Sequence, residues 1–284
     1  RYLARKGKNH APKEKKMPEL PEVETTLRGI EPHITGHLIA QFTVHNGSLR
    51  WPVTGGISEI VQGQRVVAVT RRAKYLLLQL ERGSMMVHLG MSGSLRLVDP
   101  SEARRKHDHI EMLMSNGKCL RYHDPRRFGA WLWSENGHRQ LDHLGPEPLT
   151  EDFGADRLFL LSRNRKMAIK PFIMDNHVVV GVGNIYAAEA LFRSGIRPDR
   201  EAGKVSRVRY EKLTVNIKDI LQAAIVQGGT TLRDFVNGNG EPGYFQQTLM
   251  AYGRGGQPCY QCQKELRDIR LGQRSSVFCP SCQR

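Results

Sequence analysis

The chain has 284 residues, 39% of them hydrophobic, and carries 43 Lys plus Arg against 28 Asp plus Glu, a formal charge of +15. This length accommodates more than one domain with its own core, and no apolar run approaches the roughly 18 residues that a membrane span needs. The charge excess favours a polyphosphate partner, and no lysine-rich amphipathic stretch supports a membrane-surface binder.

Residues 1–16 hold seven Lys or Arg against the single Glu14, a net +6, with few large apolar side chains. They are expected to form a disordered arm. Order is expected from Met17, where PELPEVETTLRGI gives an extended Pro-rich start and then a helix. Pro21 sits in its first turn, and Val23, Leu27 and Ile30 share one face. Glu22 and Glu24 fall where the helix dipole favours acids.

Residues 38–133 alternate in the strand manner between turn signals. The segments are Leu38–Val44, Val66–Thr70, Tyr75–Leu80, Met85–Leu89, Ser94–Val98, His109–Met114, Cys119–Tyr122 and Ala130–Trp133. Short strands without intervening helices predict an antiparallel sandwich. Cys119 reads as a small core residue. After HLGPEPL the periodicity becomes helical through Asp152–Leu161, Tyr186–Arg193 and Val208–Val226, which predicts a domain boundary near residues 146–150.

At the carboxyl end, Cys259-x-x-Cys262 and Cys279-x-x-Cys282 are separated by sixteen residues. Each turn aims two thiolates at one tetrahedral ion, so the spacing predicts a structural zinc ribbon with every ligand position filled by protein. Unpaired thiols held this way suit a reducing, cytoplasmic setting. Lys264, Arg267, Arg270 and Arg274 add positive charge to the hairpin.

Two further features carry potential chemistry. Removal of Met17 exposes a secondary amine at Pro18, and an amino terminus with a pKa of about 7.7–8.0 is partly unprotonated at neutral pH. Glu19 stands beside it as an acid or base. Gly181-Val-Gly183-Asn184 precedes a helix, and reads either as a phosphate cradle at a positive helix end or as simple capping by Asn184.

The segments PELPEVETTLRGIEP, RRAKYLLL, HLGMSGSLR, KHDHIEM, LRYHDPRRFGAWLW, HLGPEPL, AIKPFIMDNHVVVGVGNIYAAEALFRSGI, QGGTTLRDF and PGYFQQTLMAYGR, with the ribbon, resemble the bacterial formamidopyrimidine-DNA glycosylases. The likeness runs from Met17 to the carboxyl end. It implies an α+β multidomain chain: a catalytic β-sandwich with an N-terminal helix over 17–147, a helix-two-turn-helix domain over 148–250 and the zinc ribbon over 251–284.

The resemblance also implies roles. Pro18 is the nucleophile, Glu19 its acid/base partner, Lys74 a proton donor in β-elimination, and Arg274 the residue of δ-elimination and of the phosphate backbone. Met91, Arg126 and Phe128 fill the hole left by an extruded nucleotide. His107, Arg165, Lys170 and Asn184 contact DNA, and the glycine-rich stretch from Gly228 to Tyr244 caps the lesion. The implied partner is double-stranded DNA with oxidised purines (8-oxoguanine, formamidopyrimidines) or abasic sites. The implied protein is a nucleoid-associated monomer with one Zn2+ and no redox cofactor.

Two alternatives stand beside this one: an endonuclease VIII-like glycosylase for oxidised pyrimidines, and a non-catalytic damaged-DNA-binding zinc protein. The second follows from Pro18 lying inside the chain, where its nitrogen is a tertiary amide without nucleophilic character. Lyase chemistry at Pro18 therefore requires removal of residues 1–17, and translation is expected to begin at Met17.

Overall fold

The computed structural model describes residues 18–228 and 249–284. The basic arm and nearly all of the glycine-rich stretch expected to cap a lesion lie outside the described residues.

Helix α1 spans Leu20–Ile34. The Glu19 N–H donates to the Glu22 carboxylate at 2.9 Å, a reciprocal cap of the helix start. Leu20, Val23, Leu27, Ile30 and Ile34 repeat at helical spacing and are buried. That face meets strands of the sandwich and helix α6 (Arg207–Val226), so α1 lies where the two parts of the molecule join.

Eight strands follow: β1 Ile39–Val44, β2 Val66–Arg72, β3 Tyr75–Leu80, β4 Ser84–His88, β5 Ser94–Val98, β6 Asp108–Met114, β7 Cys119–His123 and β8 Ala130–Ser134. They pair antiparallel into two four-stranded sheets, ordered β1-β6-β7-β5 and β2-β3-β4-β8. Between them lie Leu76, Leu78, Met85, Val87, Ile110, Met112 and Leu120, with Trp131 tilted against Phe42 at 5.6 Å and Tyr122 at 6.0 Å. Replacing such a buried aromatic by alanine costs about 3–5 kcal/mol. Cys119 is 4% exposed on β7, a core residue as its setting predicts. The strand run is not free of helix: α2 (Ile57–Val61) begins after Gly56 at φ +69 and buries Ile57 and Val61. At five residues it is too short for its periodicity to stand out in the sequence.

The helical part comprises α3 Ala155–Ser162, α4 Ile169–Ile173, α5 Asn184–Ser194 and α6. A second core forms there from Phe153, Leu158, Phe172, Tyr186, Leu191, Tyr210 and Leu213. The start expected at Asp152 moves to Ala155 because Gly154 is the N-cap. The short helix α4 was not expected.

Strands β9 (Arg267–Leu271) and β10 (Arg274–Phe278) form the terminal hairpin. Their two-residue turn, Gly272 and Gln273, has φ of +52 and +64, the pattern of a tight hairpin turn. The ribbon is bolted to the helices. Buried Glu189 of α5 accepts the Met250, Ala251 and Tyr252 amides at 2.8–2.9 Å, and Arg197 lies over the Phe278 ring at 4.9 Å. No helix among the described residues is long and apolar enough to cross a membrane.

Candidate active site

Pro18 and Glu19 are buried where the start of α1 meets the start of α5. Glycine makes this approach feasible. A Cβ on Gly183 would fall 2.0–2.4 Å from the Glu19 carboxyl atoms, and one on Gly181, at φ +79, would fall 2.3 Å from Leu20 Cδ1. The Ile185 N–H at the head of α5 donates to Glu19 Oε1 at 3.0 Å. The Gly-Val-Gly-Asn segment thus receives a carboxylate of the protein itself. One of the helix-end amides expected to cradle a phosphate is therefore engaged by Glu19. Simple capping is corrected: the N-cap is Gly183, and Asn184 occupies the first turn. Asn184 is half-buried, and its Oδ1 has no hydrogen-bond partner among the described residues.

Burial pushes the Glu19 carboxyl above its usual range, against the pull of Lys74 and of the α5 amides. Glu22, absent from the expected site, backs it up. Fully buried, Glu22 accepts the Tyr186 hydroxyl at 2.8 Å as well as the Glu19 N–H. The reciprocal Glu-x-x-Glu spacing was the sequence signal for this contact, whereas nothing local pointed to Tyr186.

Lys74 comes from the turn between β2 and β3. Burial lowers its pKa, Arg274 lowers it further, and Glu19 opposes both. Arg274, exposed at the start of β10, also acts on Lys170. Three separate segments therefore converge: the amino end of α1, the β2–β3 turn and the terminal hairpin.

His88 at the end of β4 belongs to the same neighbourhood and was not anticipated. Burial, Lys74 and Arg50 bring its pKa down to about 4, and its Nδ1 accepts the Gly90 N–H at 3.0 Å. The ring is thus neutral at physiological pH, with its proton on Nε2.

Met91, Arg126 and Phe128 sit on two adjoining loops. Gly90, at φ +65, is packed so tightly that a Cβ would fall 2.4 Å from the Phe128 carbonyl carbon. Buried Asp124 ties the loops together, accepting from Ser92 Oγ at 2.7 Å, the Gly129 N–H at 2.9 Å and the Tyr122 hydroxyl at 3.1 Å. The Arg126 guanidinium lies 5.0 Å over the Phe128 ring, and both side chains are exposed. His107 stands at the foot of this loop, its carbonyl accepting the Asp124 N–H at 3.0 Å.

Two expected DNA contacts lie elsewhere. Arg165 is exposed on the loop after α3, where its charge reaches Asp175. Lys170 is 1% exposed, and its ammonium donates at 2.8 Å to the Ser275 carbonyl and to Ser276 Oγ of β10. Burial lowers its pKa to about 8. It holds the ribbon against α4 instead of presenting a charge to solvent, a correction to the expected direct contact.

The four ribbon cysteines bring their sulfurs within 4.8 Å of one another. Sγ pairs at 3.4 Å (Cys262 and Cys279) and 4.0 Å (Cys259 and Cys282) bracket the ~3.8 Å edge of a tetrahedron with ~2.3 Å Zn–S bonds. The donor set fits one zinc ion and leaves no open position.

Three family models match the chain: the formamidopyrimidine-DNA glycosylase N-terminal domain over residues 17–131, the H2TH domain of the same enzyme over 144–236, and a zinc finger found in FPG and IleRS over 256–284. Formamidopyrimidine-DNA glycosylases of Stutzerimonas stutzeri and Pseudomonas putida are 61% and 60% identical over 270 residues, covering 94% of this chain and all of each relative. The Thermus thermophilus MutM (Fpg) crystal structure superposes with a TM-score of 0.84 at 35% identity, covering 94% of this chain and 98% of that one. Lactococcus lactis Fpg in complex with abasic-site DNA gives 0.87 at 31%, covering 94% and 100%. The four cysteines accordingly hold one structural zinc, and the chain belongs to the formamidopyrimidine-DNA glycosylase family.

Proposed function

We propose that this protein finds oxidised purines in duplex DNA, extrudes and excises them, and cuts the strand at the resulting abasic site. The observation that carries the reading is the burial of Pro18 and Glu19 at the junction of α1 and α5, with Glu19 in the field of Lys74 and Lys74 in that of Arg274. The positive field draws DNA in and suits work at the bacterial nucleoid. Met91, Arg126 and Phe128, carried on tightly packed loops, fill the hole in the stack and offset part of the few kcal/mol lost on extrusion. His107, Asn184 and Arg165 serve the phosphate backbone, and Lys170 serves it through the ribbon.

The free nitrogen of Pro18 attacks C1′ of the damaged nucleoside, and the bond from C1′ to the base breaks as the electron pair leaves with the base. Glu19, whose carboxyl burial raises above its usual range, supplies and recovers protons at this step. Ring opening gives a cationic iminium between the Pro18 nitrogen and C1′ of the sugar. Loss of a C2′ proton then expels the 3′ phosphate oxygen, with Lys74 as proton donor. A second elimination expels the 5′ phosphate while Arg274 neutralises it with a charge that persists at any working pH. The zinc stiffens the hairpin that carries Arg274.

The nitrogen of Pro18 has no available lone pair while Met17 is attached, so activity belongs to a chain that begins at Pro18. Borohydride trapping on 8-oxoguanine duplexes tests this. The form starting at Pro18 yields a covalent adduct and the 284-residue form does not. Equal trapping by both removes Pro18 as the nucleophile. The pyrimidine-specific alternative is not favoured, since the similar proteins named above are formamidopyrimidine-DNA glycosylases. A purely binding role requires that the bond between Met17 and Pro18 persists in the cell.

A further inference from the structure

The turn that carries Lys74 is gripped by Glu147, at the far end of its own domain on the connection to the helices. Ala73, the first of the two residues joining β2 to β3, has φ +54, a left-handed conformation that a residue with a Cβ rarely adopts. It is 2% exposed, and its N–H donates to Glu147 Oε1 at 2.7 Å. Its carbonyl accepts from Arg71 Nη1 at 2.9 Å. Arg71 and Arg72 then bind the two Glu147 oxygens at 2.7 and 2.9 Å, and the second Arg71 nitrogen reaches Glu24 of α1 at 2.9 Å. Arg72 also donates to the carbonyls of Leu144 and Gly145, which precede Glu147 on the connection leading to the helices.

We propose that Glu147 is a positioning residue for Lys74: it fixes the left-handed Ala73 turn, sets where the ammonium stands, and ties proton donation in strand cutting to the docking of the helical part on the sandwich. The inference rests on the role given to Lys74 above. An ion pair of this burial, with side chains 11% and 19% exposed, is weak evidence for stability alone. The bond to a main-chain N–H beside a strained φ is what marks it as a device for placement. Burial would raise the Glu147 carboxyl, but Arg71, the Ala73 N–H and Arg72 together hold it below its usual range. The grip is thus ionised throughout the neutral range.

Single-turnover cutting of a preformed abasic-site duplex, with chains that begin at Pro18, tests the idea across neutral pH. Glu147→Gln is expected to lose about tenfold to a hundredfold in rate at saturating enzyme, the scale of a misplaced catalytic group. The limb of the pH profile that belongs to Lys74 is expected to move as the ammonium shifts relative to Glu19 and Arg274. Adding Ala73→Gly to Glu147→Gln recovers part of the rate, because glycine takes positive φ without a Cβ penalty. Glu147→Asp retains the charge but withdraws the acceptor from Ala73, so it moves the same limb if Glu147→Gln fails to fold.

A wild-type saturated rate and pH profile in both Glu147 variants, with Lys74→Ala inactive, overturns the inference alone. So does a loss that follows only the unfolding temperature and is not rescued by Ala73→Gly. Wild-type cutting by Lys74→Ala overturns the reading of Lys74 and this inference together.

Discussion

Two β-hairpins each bring one cation to the same neighbourhood, and they are made rigid by opposite means. The β2–β3 hairpin offers Lys74 from a two-residue turn with φ +54 at Ala73, and the β9–β10 hairpin offers Arg274 directly after a two-residue turn with φ +52 and +64. The first belongs to a sheet with a full apolar core, and its turn is gripped by the Glu147 carboxylate. The second has only a small cluster around Ala251, Leu266 and Val277, completed by Phe192 of α5. Segments below about 40 residues seldom bury enough surface to hold themselves, so metal replaces core. A shared local device thus depends on thiolates in one place and on carboxylate charge in the other.

Metal removal should separate the two hairpins most sharply. Structural zinc contributes ~10–16 kcal/mol of apparent binding energy in isolated fingers, more than the ribbon's few buried side chains can replace. Chelation, or Cys279→Ser, is expected to unfold residues 251–284 and abolish strand cutting while the sandwich persists. Buried Lys170 loses both of its acceptors on β10 at the same time. Hydrogen exchange reads this directly: amides of β9 and β10 lose protection and those of β3, β4 and β6 keep it. Protection that survives in the chelated ribbon would show that docking onto α5 and the segment after it, through Glu189 and Arg197, suffices without metal.

Acid should divide them in a fixed order. The Glu147 and Asp108 carboxyls have folded pKa values below their usual 4.5 and 3.8. For both groups burial acts upward and is outweighed, by Arg71, the Ala73 N–H and Arg72 at Glu147, and by the Arg105 N–H, His123 and Arg96 at Asp108. Such groups contribute stability that is complete above the unfolded value and lost only as pH falls through the folded one. The contribution of these carboxylates is therefore expected to hold down to about pH 4.5 and to be lost below it, while the buried neutral His88, with a folded pKa of about 4, draws off part of the sandwich's stability from about pH 6.5 downward. Protons compete with zinc for thiolates at higher pH, because every ligand must be deprotonated to bind. A chromophoric chelator should register zinc release before circular dichroism registers loss of the sandwich. The reverse order would mean that the carboxylate network, not the ribbon, is the weaker anchor.

The two hairpins also differ in how far the sequence exposed them. The ribbon was legible as a unit, since paired Cys-x-x-Cys spacing encodes ligand geometry directly. The sandwich strands were legible from alternation to within two residues at most ends, as at β1, β5 and β6. What alternation could not reveal is long-range. Glu147 lies about seventy positions from the turn it grips, and the Asp124 bonds that join the loops of Met91 and Phe128 depend on pairing across the sheets. Lys170 was misjudged for a related reason. Its DNA contact was expected from the family resemblance alone, and only the docked ribbon shows that its ammonium is enclosed. The glycines of Gly181-Val-Gly183 carried a true signal of close approach, but the sequence did not say that the approaching group is Glu19.

The smallest expected effect comes from relieving the second turn. Gln273 is exposed at φ +64, where an L side chain is strained, and glycine takes that conformation freely. Gln273→Gly removes the strain but adds freedom to the unfolded chain, so the two effects partly cancel and the net gain is about 1 kcal/mol at most. In the zinc-loaded ribbon that corresponds to a rise in metal affinity of about fivefold or less, measurable by competition with a chromophoric chelator. Strand cutting should be unchanged, because Arg274 is already held by the pairing of β10 with β9. A gain well beyond tenfold would mean that turn strain, and not thiolate binding, limits the ribbon. The contrast between a metal-held and a charge-held hairpin would then need to be redrawn around backbone conformation in both.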